Sequence, residues 1–199
     1  GYSLRPLPGT ETEVKNIREM FKNSGDIYIR KEATEEKFKS ECSSYKYLLL
    51  ATHGLVNERN PMESSLAFSM NSRSSEDGFL KASEVLNLDI NAELVVLSAC
   101  ETGLGKIRSG EGVVGLTRSF MYAGTPSIVV SLWSVDSSST ARLMEIFYKK
   151  LLSGMNKAEA LRQAKLELMK ESDKLYGESV SYRHPFFWAP FVFVGKSEK

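Results

Sequence analysis

The chain has 199 residues, enough for one large domain that buries its own core without disulfide or metal support. Its 26 lysines and arginines against 25 aspartates and glutamates leave a net charge of +1, which excludes bulk attraction to nucleic acid or an anionic membrane. The two cysteines, Cys42 and Cys100, have neither disulfide-framework nor zinc-cluster spacing, which points to a reducing, cytoplasmic setting with no resident metal. No apolar run approaches the ~20 residues of a membrane span, so a soluble protein is expected.

In chain order, the pattern predicts an irregular lead-in over 1–10 and a helix capped by Thr10 or Thr12 that runs to about Asn23, with Val14, Ile17, Met20 and Phe21 on one face. Asp26 to Arg30 reads as a short strand, and Thr34 caps a charged helix to about Glu41. Tyr47 to Gly54 is a continuous apolar run closing on small residues and His53. Ser65 to Met70 and Gly78 to Leu80 read as a small hairpin at one end of the main sheet, followed by a short helix from Ser83. Glu93 to Gly105 repeats the earlier device: four large apolar residues run into Ser98 and Ala99 and deliver Cys100. A helix over Gly110 to Tyr122, a third buried strand over Ser127 to Val135, a helix to about Leu152 and another capped by Asn156 follow. Ser172 to Arg183 reads as an exposed loop and Phe191 to Val194 as a last strand. Continuous rather than alternating apolar strands interleaved with helices predict an α/β fold, a largely parallel sheet of about five strands covered by helices on both faces.

In open parallel sheets the chemistry sits beyond the carboxyl ends of the strands, so adjacent strands ending in His53 and Cys100 would bring an imidazole to a thiol. A thiol attacks a carbonyl as thiolate and needs a neighbouring base. His53 is the better of the two histidines for that role; His184 stands in a loop-like stretch before Pro185 and reads as a packing or surface residue. Gly54 lets backbone come close to a substrate, and the amides of Gly54 and Cys100 are natural donors to a tetrahedral oxyanion. Cys42, with no cationic cluster near it in sequence, reads as an ordinary semi-buried thiol. Asp136 is either a helix cap or part of a substrate pocket, and Trp133 and Trp188 read as core or rim aromatics. Gly110 to Gly115 matches a dinucleotide fingerprint in spacing, but a loop of roughly ten residues separates it from the preceding strand, where the fingerprint demands none. No cofactor is therefore expected.

The motifs Ala51-Thr52-His53-Gly54, Leu97-Ser98-Ala99-Cys100-Glu101-Thr102-Gly103 and Ser131-Leu132-Trp133-Ser134-Val135-Asp136 together resemble the CHAT domain, a caspase-like cysteine protease family related to separase. The likeness runs from Leu7-Pro8-Gly9 to the Phe187-Trp188-Ala189-Pro190-Phe191 ending. It implies a caspase-like sheet in a single domain over 1–199, and peptide-bond hydrolysis by a His53 and Cys100 dyad with the Gly54 and Cys100 amides as oxyanion hole. It further implies substrate binding by Ser131, Trp133, Ser134 and Asp136, the last receiving a basic side chain before the cut as in separase relatives. The family's usual first core strand has no counterpart here, which implies truncation at the N-terminus. Its usual upstream TPR repeats imply a regulatory TPR region or activator protein as partner beside the protein or peptide substrate. A catalytically silent regulatory or interaction domain of the same fold is the alternative function.

Overall fold

The computed structural model describes residues 4, 7–22, 24–71, 73–98, 100–101, 111–133, 136–175 and 178–198, excepting the side chains of Pro8, Cys100, Glu101, Lys174, Leu175 and Glu178. Its main sheet has the order β1 (Tyr47–Leu50), β5 (Leu94–Leu97), β7 (Ser127–Ser131), β10 (Phe191–Gly195). The first three run parallel, Leu48 beside Val95 and Val96 beside Val129, and β10 returns antiparallel with Val192 beside Val130.

Both faces of this sheet are covered, as the continuous apolar runs require. Leu94, Val96 and Val129 pack with Ile17 of α1 (Pro8–Met20) and with α5 (Ser137–Leu152) and α6 (Lys157–Leu168), where Phe147 and Tyr148 are fully enclosed. Their neighbours Val95, Leu97, Ile128 and Val130 point the other way, toward Val85 of α3 (Ala82–Val85) and Leu116 and Phe120 of α4 (Glu111–Tyr122). Alternation of side chains along each strand feeds two core clusters from one sheet.

A second sheet grows out of the first. After β1 the chain breaks at Ala51 and Thr52 and resumes as β2 (His53–Leu55); after β5 it breaks and resumes as β6 (Cys100–Glu101). These join the hairpin of β3 (Ser65–Ala67) and β4 (Phe79–Lys81) in the order β4-β3-β2-β6. The expected hairpin at one end of the main sheet is thus half of a small sheet that carries the ends of two core strands. The Thr52 hydroxyl, donating to the Ala67 carbonyl, holds the break in the first of them against β3.

Four expectations need correction. α1 starts at Pro8, whose fixed φ suits a first helical turn, and Thr10 instead turns its hydroxyl back to the Leu7 carbonyl at 2.8 Å. Asp26 to Arg30 forms no strand: it runs beside α2 (Glu35–Glu41) tied by side chains, Tyr28 to Glu41 at 2.6 Å and Tyr45 to Asp26 at 2.5 Å. The main sheet therefore has four strands rather than five. Ser172 to Arg183 is not a loop but the hairpin of β8 (Ser172–Leu175) and β9 (Glu178–Ser181). Its polar sequence hid it; buried Tyr182, bonded to Asp173 at 3.0 Å, and the two-pronged Arg142–Glu171 pair at 2.7 and 2.8 Å hold its base.

Candidate functional site

β2 and β6 pair in parallel, with His53 opposite Cys100 and Gly54 opposite Glu101. Each of these strands is the direct continuation of a core strand, so the rigid main sheet sets their separation, and strands in a sheet lie about 4.8 Å apart. β2 is also flanked by β3, where Gly54 stands opposite Leu66. His53, Gly54 and Leu55 are all buried. The side chain of Cys100, the segment 102–110 and Ser134 lie outside the described residues.

The third motif ends on the same side of the sheet. β7 pairs with β10 as far as Ser131, opposite Phe191, but its pairing with β5 stops one residue earlier, at Val130 opposite Leu97. Beyond that point β5 has turned away toward β6. Trp133 is half-buried and packs against the cluster under α5 and α6. Asp136 caps α5, its Oδ2 accepting from the Ser139 amide at 2.9 Å while the Ser139 hydroxyl donates to its carbonyl at 3.1 Å. The capping alternative therefore holds for Asp136, and a cap of this kind leaves the second carboxylate oxygen open to other partners. A cavity of about 20 Å³ lies among Gly54, Leu66, Leu97, Val113, Ser131 and Leu132. It has room for one water and none for a substrate side chain.

The remaining candidates have local explanations. His184 is exposed, and its Nδ1 accepts from the Phe186 amide at 3.2 Å, capping a short 3-10 turn. Cys42 is buried at the end of α2, and burial pushes its thiol above the usual range. In the glycine-rich segment, a methyl at Gly112 would fall 2.2 Å from Val56 Cγ1, and one at Gly115 would fall 2.9 Å from the Pro61 carbonyl oxygen. Those two glycines let α4 lie close against Val56 and the Pro61–Glu63 turn, a packing cause for their place in the sequence; Gly110 lies outside the described residues.

Two features escaped the sequence reading. Glu13 of α1 is 3% exposed, and burial pushes its carboxyl up to about 7 against a smaller opposing pull from Ser98. It thus lies near Ser98, the residue that follows β5. The readable signal was its spacing of four from Ile17 and seven from Met20, which places a charge on the apolar face of the helix. The other is a cluster of Glu35, Glu76 and Glu84, whose oxygens come within 4.8 Å of one another as metal ligands would. Lys39 occupies that place: its Nζ lies 2.7, 2.6 and 2.9 Å from the three carboxylates. Burial works against the ammonium, and its bonds to the carboxylates outweigh that and hold its pKa above the ordinary lysine value. Among the described residues no helix is long and apolar enough to cross a membrane.

Comparison with known proteins agrees with the motifs. Tetratricopeptide repeat protein 28 of Homo sapiens is 33% identical over 120 residues, and that of Mus musculus is 32% identical over the same length. The matched stretch is 60% of this chain and 4% of either relative, so the chain corresponds to a small part of those proteins. The family model described as CHAT domain matches residues 1–196, and the chain therefore belongs to the CHAT domain family.

Proposed function

We propose that this chain is a cysteine endopeptidase in which Cys100 and His53 form the catalytic dyad. The observation that carries the reading is the backbone register of β2 and β6, which sets His53 beside Cys100 on adjacent parallel strands. In the mechanism the Cys100 thiolate attacks the scissile carbonyl carbon, and the amides of Gly54 and Cys100 donate to the developing oxyanion. Protonated His53 gives its proton to the leaving amine as the C–N bond breaks. Water then loses a proton to His53 and attacks the thioester, releasing the carboxylic acid and restoring the thiol.

The substrate lies along 131–134, with its main chain beside β7 past the point where β5 pairing ends at Val130. Ser131, Trp133 and Ser134 are assigned to substrate binding, and Asp136 receives an Arg or Lys side chain through the oxygen its cap leaves open. A TPR region or an activator protein controls access, and the working compartment is the cytoplasm. One observation favours a second reading, a silent regulatory domain: the described walls near Gly54 and Ser131 enclose only about 20 Å³.

Cleavage of a mixed peptide library, read by mass spectrometry, separates the two. Cuts after Arg or Lys that vanish in Cys100→Ala and lose their basic preference in Asp136→Ala support the dyad and the pocket. Cuts that persist in Cys100→Ala overturn the assignment.

A further inference from the structure

Away from the dyad, the far edge of the main sheet has its own character. β10 makes one ladder, to β7, and among the described residues no strand pairs with its other edge. That edge reads Phe191-Val192-Phe193-Val194 between Pro190 and Lys196, and within the strand it has none of the charges, prolines or bulges by which sheet edges repel a further strand. α6 runs alongside, fixed at its start by the Lys157 amide, which donates to the Ser197 carbonyl at 3.1 Å. Between helix and strand lies an open groove of about 560 Å³ lined by Leu161, Lys165, Leu166, Met169 and Trp188. Val192 and Phe193 both line it. Successive strand residues point to opposite faces, so a groove touching both follows the strand edge itself.

The charge of the groove has one sign. Its ionisable lining residues are Arg162 and Lys165. Arg162 is held by Glu159 at 3.0 Å in an exposed pair. The Lys165 ammonium pairs with no described residue although it is half-buried, and burial alone pushes its pKa down. A half-buried ammonium over an apolar floor is costly until a carboxylate joins it.

We propose that the groove between α6 and β10 is a docking site for an extended acidic segment of a protein partner. The segment adds to β10 as a further strand, sets apolar side chains against Leu161, Leu166 and Trp188, and places an Asp or Glu on Lys165. The open edge supplies main-chain bonding, the groove selects apolar residues, and the cation selects the charge.

The test uses ten-residue synthetic peptides of alternating valine and threonine with Glu, Gln or Lys at one central position. Binding to the chain is followed by the Trp188 indole signal in NMR and by slowed hydrogen exchange along β10. The Glu peptide is expected to bind and to protect β10, with affinity falling about tenfold or more in Lys165→Glu. That variant is expected to prefer the Lys peptide, and Lys165→Gln, which removes the charge and suits a helix, is expected to weaken discrimination without reversing it. Equal binding of the three peptides, absence of binding to the unaltered chain, or protection of β10 that grows with protein concentration alone would overturn the proposal. The last outcome would assign the groove to a second copy of the chain.

Discussion

The two sheets share strands but are built on different terms. In the main sheet each ladder joins three to five residue pairs, and Leu94 to Leu97 are at most 1% exposed. In the small sheet β2 and β6 share two pairs, His53 with Cys100 and Gly54 with Glu101. Hydrophobic burial on two faces stabilises the first; the second is placed by it. A ladder of two pairs has little cooperativity of its own, so the positions proposed for chemistry depend on the breaks after Leu50 and Leu97 occurring at the same level of the main sheet. Stability and the proposed chemistry thus occupy different sheets although they lie on the same strands.

The largest expected effect breaks the main-sheet side of this comparison. Phe147→Ala opens a cavity in the cluster shared by α5, α6 and β5, where Phe147 has no exposure. It should cost about 3–5 kcal/mol in urea unfolding. If the division holds, the fraction that remains folded keeps the Cys100 reactivity of the unaltered chain, because the register of β2 and β6 is set on the strands themselves.

Glu13 sharpens the comparison at the junction, since it lies near Ser98, just past the end of β5. Its carboxyl rises from an ordinary 4.5 to about 7 in the folded protein, chiefly through burial. Both folded and unfolded states are protonated below pH 4.5, so no penalty exists there. From about pH 4.5 upward the unfolded chain gives up the proton while the folded chain keeps it, so stability falls until the pH has risen through about 7 and then levels off, by roughly 3 kcal/mol in all. Glu13→Gln should remove that slope. Urea midpoints from pH 4 to 9 check it, and a slope unchanged in the variant would show that Glu13 does not carry it.

The same division explains what the sequence could disclose. Leu94 to Leu97 and Ser127 to Ser131 announce a two-faced sheet by their continuous apolar character, and Thr34, Asp136 and Asn156 mark helix starts by capping chemistry that the structure bears out at 3.2, 2.9 and 2.9 Å. Asp26 to Arg30 imitates a strand because β-branched residues alternate there, yet pairing needs a neighbour, and its polar groups found Glu41 and Tyr45 instead. The β8 and β9 hairpin carries no apolar alternation and is held by tertiary anchors that no local pattern reveals. At the candidate site, the delivery of His53 and Cys100 by two strand ends was legible; that the strands break and re-pair in a second sheet was not, because that pairing joins segments far apart in sequence, which no local pattern specifies. Gly112 and Gly115 of α4 show the converse, a motif legible by spacing whose cause is packing against Val56 and Pro61.

The central claim is that Cys100 reacts as a thiolate because His53 is beside it. The most direct measurement is the rate of Cys100 alkylation by iodoacetamide between pH 5 and 9, read by mass spectrometry in the unaltered chain and in His53→Ala. Cys42, buried with its thiol pushed up, serves as the unreactive internal control. An unassisted thiol titrates near about 8.5, so the expected result is fast modification of Cys100 at pH 6 to 7 that His53→Ala slows by about tenfold or more, leaving Cys42 untouched. Equal rates in the two proteins across that range would contradict the dyad.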